Sequence, residues 1–201
     1  PNGTALVVGG HSFSQMRCIA DAELWTPRFG FQAAGQLKTA RMFHQSVRFD
    51  DQAVAVVGGC DNDGGALTTV ELWDPGTNKF TLVAPMQIAR HLHSAVLLPT
   101  GEILVSGGLT TSGPARSCEC YDPREDRWRE AAPLRQARAS HAAIVQSDRR
   151  VIVFGGFGDA EALSVLRSTE LWNGVAFEQA PPSQHLHRDP QLVELADASV
   201  V

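Results

Sequence analysis

No apolar run in this 201-residue sequence is longer than a β-strand. Stretches such as residues 53–57 and 95–98 fall far short of the ~18 apolar residues a membrane helix requires. A basic segment followed by an apolar one is missing at the start, so no secretory leader is visible. The first residue is Pro1 rather than Met, which leaves room for a removed leader or a further domain. Basic residues are outnumbered, with 17 Lys and Arg against 22 Asp and Glu, so the electrostatic footprint expected of a nucleic-acid binder is missing. Sustained 3.6-residue periodicity is also lacking, which excludes a helical fold.

Cysteine is scarce. Of Cys18, Cys60, Cys118 and Cys120, only the last two are close in sequence, and their spacing is not that of a zinc knuckle. Residues i and i+2 of a strand share a face and rarely meet disulfide geometry. All four therefore read as free thiols, which leans towards a reducing, cytoplasmic compartment. No nucleophile elbow, Walker loop or dinucleotide fingerprint is present. Hydrophobic residues at 43% and charged residues at 19% nonetheless mark a folded globular chain.

What the sequence does contain is a repeat. Double glycines stand at Gly9-Gly10, Gly58-Gly59, Gly107-Gly108 and Gly155-Gly156, at intervals of 49, 49 and 48 residues. Each ends an apolar run, as expected of a strand buried on both faces. A Glu-x-aromatic triplet follows: Glu23-Leu24-Trp25, Glu71-Leu72-Trp73, Glu119-Cys120-Tyr121 and Glu170-Leu171-Trp172. Turn formers come next, Asp74-Pro75, Asp122-Pro123 and Asn173-Gly174 among them, then a second aromatic: Phe31, Phe80, Trp128 or Phe177. Three repeats then show Arg followed three residues later by His: Arg41/His44, Arg90/His93 and Arg138/His141. Four short strands per period make a four-stranded sheet whose faces need neighbours to cover them. In the second repeat the expected strands are about 92–98, 53–57, 69–73 and 79–83.

The double glycine, the Glu-x-Trp/Tyr-Asp-Pro element, the later aromatic and the Pro-x-x-x-x-Arg-x-x-His element together resemble the kelch motif. The resemblance covers nearly the whole chain. It implies an all-β, kelch-type β-propeller segment over 1–201, with four four-stranded blades and repeats of about 1–40, 41–89, 90–137 and 138–187. Residues 188–201 would supply a strand of the closing or next blade, because 191–195 aligns with 94–98. Residues 199–201 in turn align with 102–104, the start of a further second strand. The expected assembly is either an incomplete propeller or half of an eight-bladed dimeric ring, formed through open blade faces.

The glutamate column, Glu23, Glu71, Glu119 and Glu170, is expected to be structural and paired with Arg41, Arg90 and Arg138. His187 replaces the fourth arginine, which would leave Glu170 short of a partner. His44, His93 and His141 read as buried scaffold bonded to backbone. A metal reading draws on His91-x-His93 and His185-x-His187, which would each place two imidazoles on one strand face. No carboxylate or cysteine supports either pair, so no metal and no cofactor is expected.

In kelch domains that bind peptides, loops at one end line the channel mouth. Carried over column by column, the lining would be His11, Phe43, Cys60, Leu92, Leu109, Ser140, Phe157 and Asp189. That set is mostly apolar and suits a peptide or a protein loop. The expected function is protein or peptide recognition without catalysis. One alternative is a fragment of a propeller enzyme, galactose-oxidase-like or mutarotase-like. Galactose oxidase uses a copper site with two tyrosines, and Tyr121 is the only tyrosine here, so this segment alone does not hold that site. The other alternative is a self-assembling structural subunit.

Overall fold

The computed structural model describes residues 3–49, 52–159 and 164–195, and among them there is no helix. Three four-stranded antiparallel sheets follow one another in the chain. The second blade consists of Gln45–Arg48, Val54–Val57, Val70–Asp74 and Lys79–Val83. The third consists of Ser94–Leu97, Ile103–Ser106, Cys118–Asp122 and Arg127–Ala131. The fourth consists of Ala142–Val145, Val151–Phe154, Thr169–Trp172 and Phe177–Ala180. In each, the strands lie in chain order from inner to outer.

Among the described residues the first blade has three strands, Ala5–Val8, Asp21–Thr26 and Gly30–Gln36. The expected strand over 188–201 falls partly outside the described residues, with Glu194 at a bridge position. One correction concerns 92–98. The strand forms, as Ser94–Leu97, but it belongs to the third blade, where Ala95 pairs with Val105. A tight turn explains this: Gly101 N–H donates to the Leu98 carbonyl, joining the strand directly to Ile103–Ser106. The inner strand of the second blade is instead Gln45–Arg48.

Each blade buries the same two aromatics against the blade before it. Trp73 and Phe80 pack with Ala22, Ala34 and Leu37 of the first blade, and Tyr121 and Trp128 pack with Val57, Val70 and Met86 of the second. Trp172 and Phe177 pack with Cys118, Cys120 and Leu134 of the third. These six rings are 1–6% exposed, whereas Trp25 and Phe31 of the first blade are 38% and 58% exposed. All four cysteines are free and buried.

Between blades runs a crossing segment that is bonded in both directions. Leu37 and Arg41 donate their N–H groups back to Ala20 and Ile19 of the first blade. Lys38 and Thr39 donate theirs forward to the Glu71 carboxylate, at 2.7 and 3.2 Å. The Arg41 side chain also reaches forward, to Glu71 at 2.7 Å, to the Gly58 and Thr69 carbonyls and to the Thr69 hydroxyl. The same arrangement recurs with Gln87, Ile88 and Arg90 on Glu119, and with Arg135, Gln136 and Arg138 on Glu170. Glu170 is therefore fully partnered, contrary to the sequence expectation, because each arginine pairs forward with the glutamate of the blade it enters. The carboxylate without an arginine is Glu23, which is exposed and has no partner among the described residues.

The first glycine of each pair makes this crossing possible. Gly58 has φ +58°, and a Cβ there would lie 2.7 Å from the Arg90 carbonyl oxygen and 2.8 Å from the His93 ring. Gly174 has φ +98° but open space around it. Gly58→Ala should therefore cost more stability than Gly174→Ala, by about 1–3 kcal/mol, the range for overpacking a close contact. Urea denaturation of the two variants checks this, and equal midpoints would show that the crossing tolerates a side chain. Removing one partner of a buried ion pair is more costly still. Glu119→Gln should destabilise by about 3–5 kcal/mol, while the exposed Glu23→Gln should stay within about 0.5 kcal/mol. The same denaturation series reads both.

Candidate functional site

The loops after the double glycines and the segments that follow each arginine or its counterpart meet at one end of the sheets. Bridges join Met42 to Cys60, His91 to Leu109 and Ala139 to Phe157. In the first blade a hairpin of His11–Ser12 with Arg17–Cys18 takes the corresponding place. It is held to the second blade by the Asn62 side chain, which accepts the Cys18 N–H. In the fourth, the Arg188 guanidinium lies 5.1 Å over the Phe157 ring, beside Asp189. All eight candidate residues therefore stand at this end. Three of them are withdrawn from solvent: Cys60, Ser140 and Phe157 are 2%, 8% and 3% exposed. The accessible ones are His11, Phe43, Leu92, Leu109 and Asp189.

One column has an unusual backbone. Phe43, Leu92, Ser140 and Asp189 have φ of 54, 53, 51 and 51°, in the left-handed region that costs a non-glycine residue about 1 kcal/mol or more. Hydrogen bonds between blades hold them there. Leu92 N–H donates to the Phe43 carbonyl, Ser140 N–H to Leu92, and Asp189 N–H to Ser140, at 3.1, 2.8 and 3.1 Å. Phe43 is thus 52% exposed on a backbone that cannot swing away. The tip of the hairpin at this end carries Phe13 and Met16, which are 84% and 76% exposed. Sequence reasoning missed this pair, because the loops differ between repeats and supply no column to align.

Beneath the mouth lies a polar hollow of about 420 Å3, bounded by Gln45, Ser94, His141 and Gln191. Of the repeat histidines His44, His93 and His141, the last lines it. His93 and His141 are buried as expected and His44 is half-buried, and the bonding of His141 differs from the sequence reading. Neither ring nitrogen of His93 has a hydrogen-bond partner, and His141 bonds a side chain, its Nε2 lying 3.2 Å from the Ser106 hydroxyl. His91 and His93 lie outside the strands, and so do His185 and His187. Among the described residues no group of three His, Cys, Asp or Glu is placed to hold a metal. The Ser106–His141 pair does not complete a nucleophilic site. His141 Nδ1 has no partner to orient the ring, and Glu71, Glu119 and Glu170, the buried carboxylates, are all occupied by arginines.

A kelch motif matches residues 46–87 and again residues 90–135. The second and third blades carry kelch repeats. The two matched stretches run through those two blades, and the four-stranded antiparallel sheets are consistent with kelch β-propeller blades. Kelch repeats are commonly protein-interaction modules and generally non-enzymatic. No curated protein matches the chain.

The buried imidazoles of these kelch blades tie stability to pH. Burial, then the nearby arginine charge, lowers His44 to about 4 and His93 to about 3, and His141 well below its ordinary value. An unfolded imidazole takes up a proton near pH 6.5. Between about pH 6.5 and 4 the unfolded chain therefore binds more protons than the folded one, and stability falls as pH falls through this window. His93→Asn should flatten the dependence by about 1.4 kcal/mol per pH unit, the equivalent of one proton. Denaturant midpoints measured from pH 4 to 7 test this, and an unchanged slope would mean that His93 accepts a proton in the fold.

Proposed function

We propose that this chain is a recognition module that takes an extended peptide or a protein loop at the end carrying Phe43. The observation that carries the reading is a large apolar side chain, half exposed, on a backbone fixed by hydrogen bonds between blades. Rigid exposed aromatics are the side chains that anchor protein contacts, since little entropy is lost when they bind. Phe13, Met16, Leu92 and Leu109 extend the apolar surface, and Asp189 supplies one carboxylate at its edge. The Asp189 carboxylate is offset by Arg188, 3.7 Å away, and so balanced an edge suits neither phosphate nor nucleic acid. No catalytic role is assigned to this end.

Peptides selected from a random display library against the chain test the reading. Phe43→Asn is the informative variant, because asparagine tolerates the left-handed backbone and the fold is left intact. Selected peptides should lose roughly tenfold or more in affinity for it, about 1.4 kcal/mol. Val175→Ser, on an outer turn 79% exposed, should leave affinity unchanged. Peptides that bind both variants as well as the parent chain would refute this site.

A further inference from the structure

Three junctions between blades are complete in this chain, and they define what a junction requires. The entering blade supplies a glutamate and two aromatics. The leaving blade supplies a crossing segment with two free N–H groups and an apolar sheet face. Among the described residues nothing covers the entering half of the first blade. Glu23 is exposed and unpartnered among the described residues, and Trp25 and Phe31 are 38% and 58% exposed.

The fourth blade presents the leaving half. Its crossing segment turns back onto its own blade as the others do, with Ser183 N–H on the Arg167 carbonyl and His187 N–H on the Leu166 carbonyl. These bonds place Gln184 and His185 where Lys38 and Thr39 stand in the first crossing. The Gln184 N–H has no acceptor among the described residues, and that of His185 has only the local Ser183 hydroxyl at 3.3 Å. Beside them is an apolar hollow of about 420 Å3, lined by Ile152, Phe154, Pro181 and Leu192 among others. His187 stands where an arginine would reach forward, and its ring packs on Phe154 with centroids 5.1 Å apart.

We infer that the chain associates head to tail, the first blade of one copy docking on the fourth blade of a second copy. The two halves are complementary in kind. The Glu23 carboxylate accepts from the backbone N–H groups of Gln184 and His185, as Glu71 does from Lys38 and Thr39. Trp25 and Phe31 cover the face that carries Ile152 and Leu171, as Trp73 and Phe80 cover Leu6 and Leu24. The interface is heterologous, because its two sides are different surfaces of one chain.

Light scattering over a wide concentration range, with paired variants, tests this. The parent chain should rise from 21.7 kDa to at least twice that mass. Phe31→Arg spoils only the entering face and Leu171→Arg only the leaving face, so each alone should stay monomeric. Their equimolar mixture should recover a dimer, since one good face of each kind remains. That recovery also shows that both variants fold. Glu23→Gln should weaken association roughly tenfold. A parent chain that stays monomeric throughout overturns the inference, as does a mixture that fails to associate. Dimerisation of Leu171→Arg by itself would mean that entering faces pair with each other, and would overturn it too. Peptide binding at the Phe43 end is expected to be unchanged in all three variants, so the two proposals fail independently.

Discussion

A buried carboxylate that accepts two backbone N–H groups and one guanidinium is the contact on which the blade order depends. Burying such a charge is costly unless every lone pair and proton finds a partner. Here nearly all do. Arg41 places all five of its donors, through Nε on Thr39 and the two terminal nitrogens on Gly58, Thr69 and Glu71. Arg90 and Arg138 place four, leaving only Nε without a partner. The network adds little net stability over an apolar core, but it admits only one geometry. The crossing segment must lie where its N–H groups meet the carboxylate, and that position sets how each blade sits on the one before it.

The aromatics supply the apolar area that the ion pairs do not, and their polar ends follow the same logic. Trp73 donates its indole N–H to the Ala34 carbonyl of the first blade. In the third blade the tryptophan has moved to the second aromatic column, and Trp128 donates to Ala84 instead. Tyr121 then fills the first column, its hydroxyl bonding Asp126, which also accepts the Ala84 N–H. Two different residue sets thus tie a blade to its predecessor, at the outer strand through Ala34 and just beyond it through Ala84.

Strand content, the double glycines and the buried aromatic columns were legible because each is a local consequence of residue type. The direction of the arginine pairing was not. In a repeat of 48 or 49 residues, Arg41 stands 18 residues after Glu23 and 30 before Glu71, and periodicity treats both as the same column relation. Only the path of the crossing segment decides, because it is bonded backwards through its main chain and so must reach forward with its side chain. The misplaced strand at 94–97 has the same origin. A column repeats identically whether it opens a blade or closes one, and the short turn at 98–102 is what assigns it.

The candidate site shows the converse limit. Alignment of columns gathered eight residues at one end, and the structure does place them there, yet it buries Cys60, Ser140 and Phe157. Two of these three lie on segments bridged on both sides. Cys60 is bridged to both Met42 and Ala66, and Phe157 to both Ala139 and Val165. Phe43 lies outside these bridges, and the hydrogen bond from Leu92 to its carbonyl holds its left-handed backbone. Recognition at this end depends on the packing of the blades beneath it, and a change at a crossing such as Arg90 should be felt at Leu92, two residues away on the same held segment.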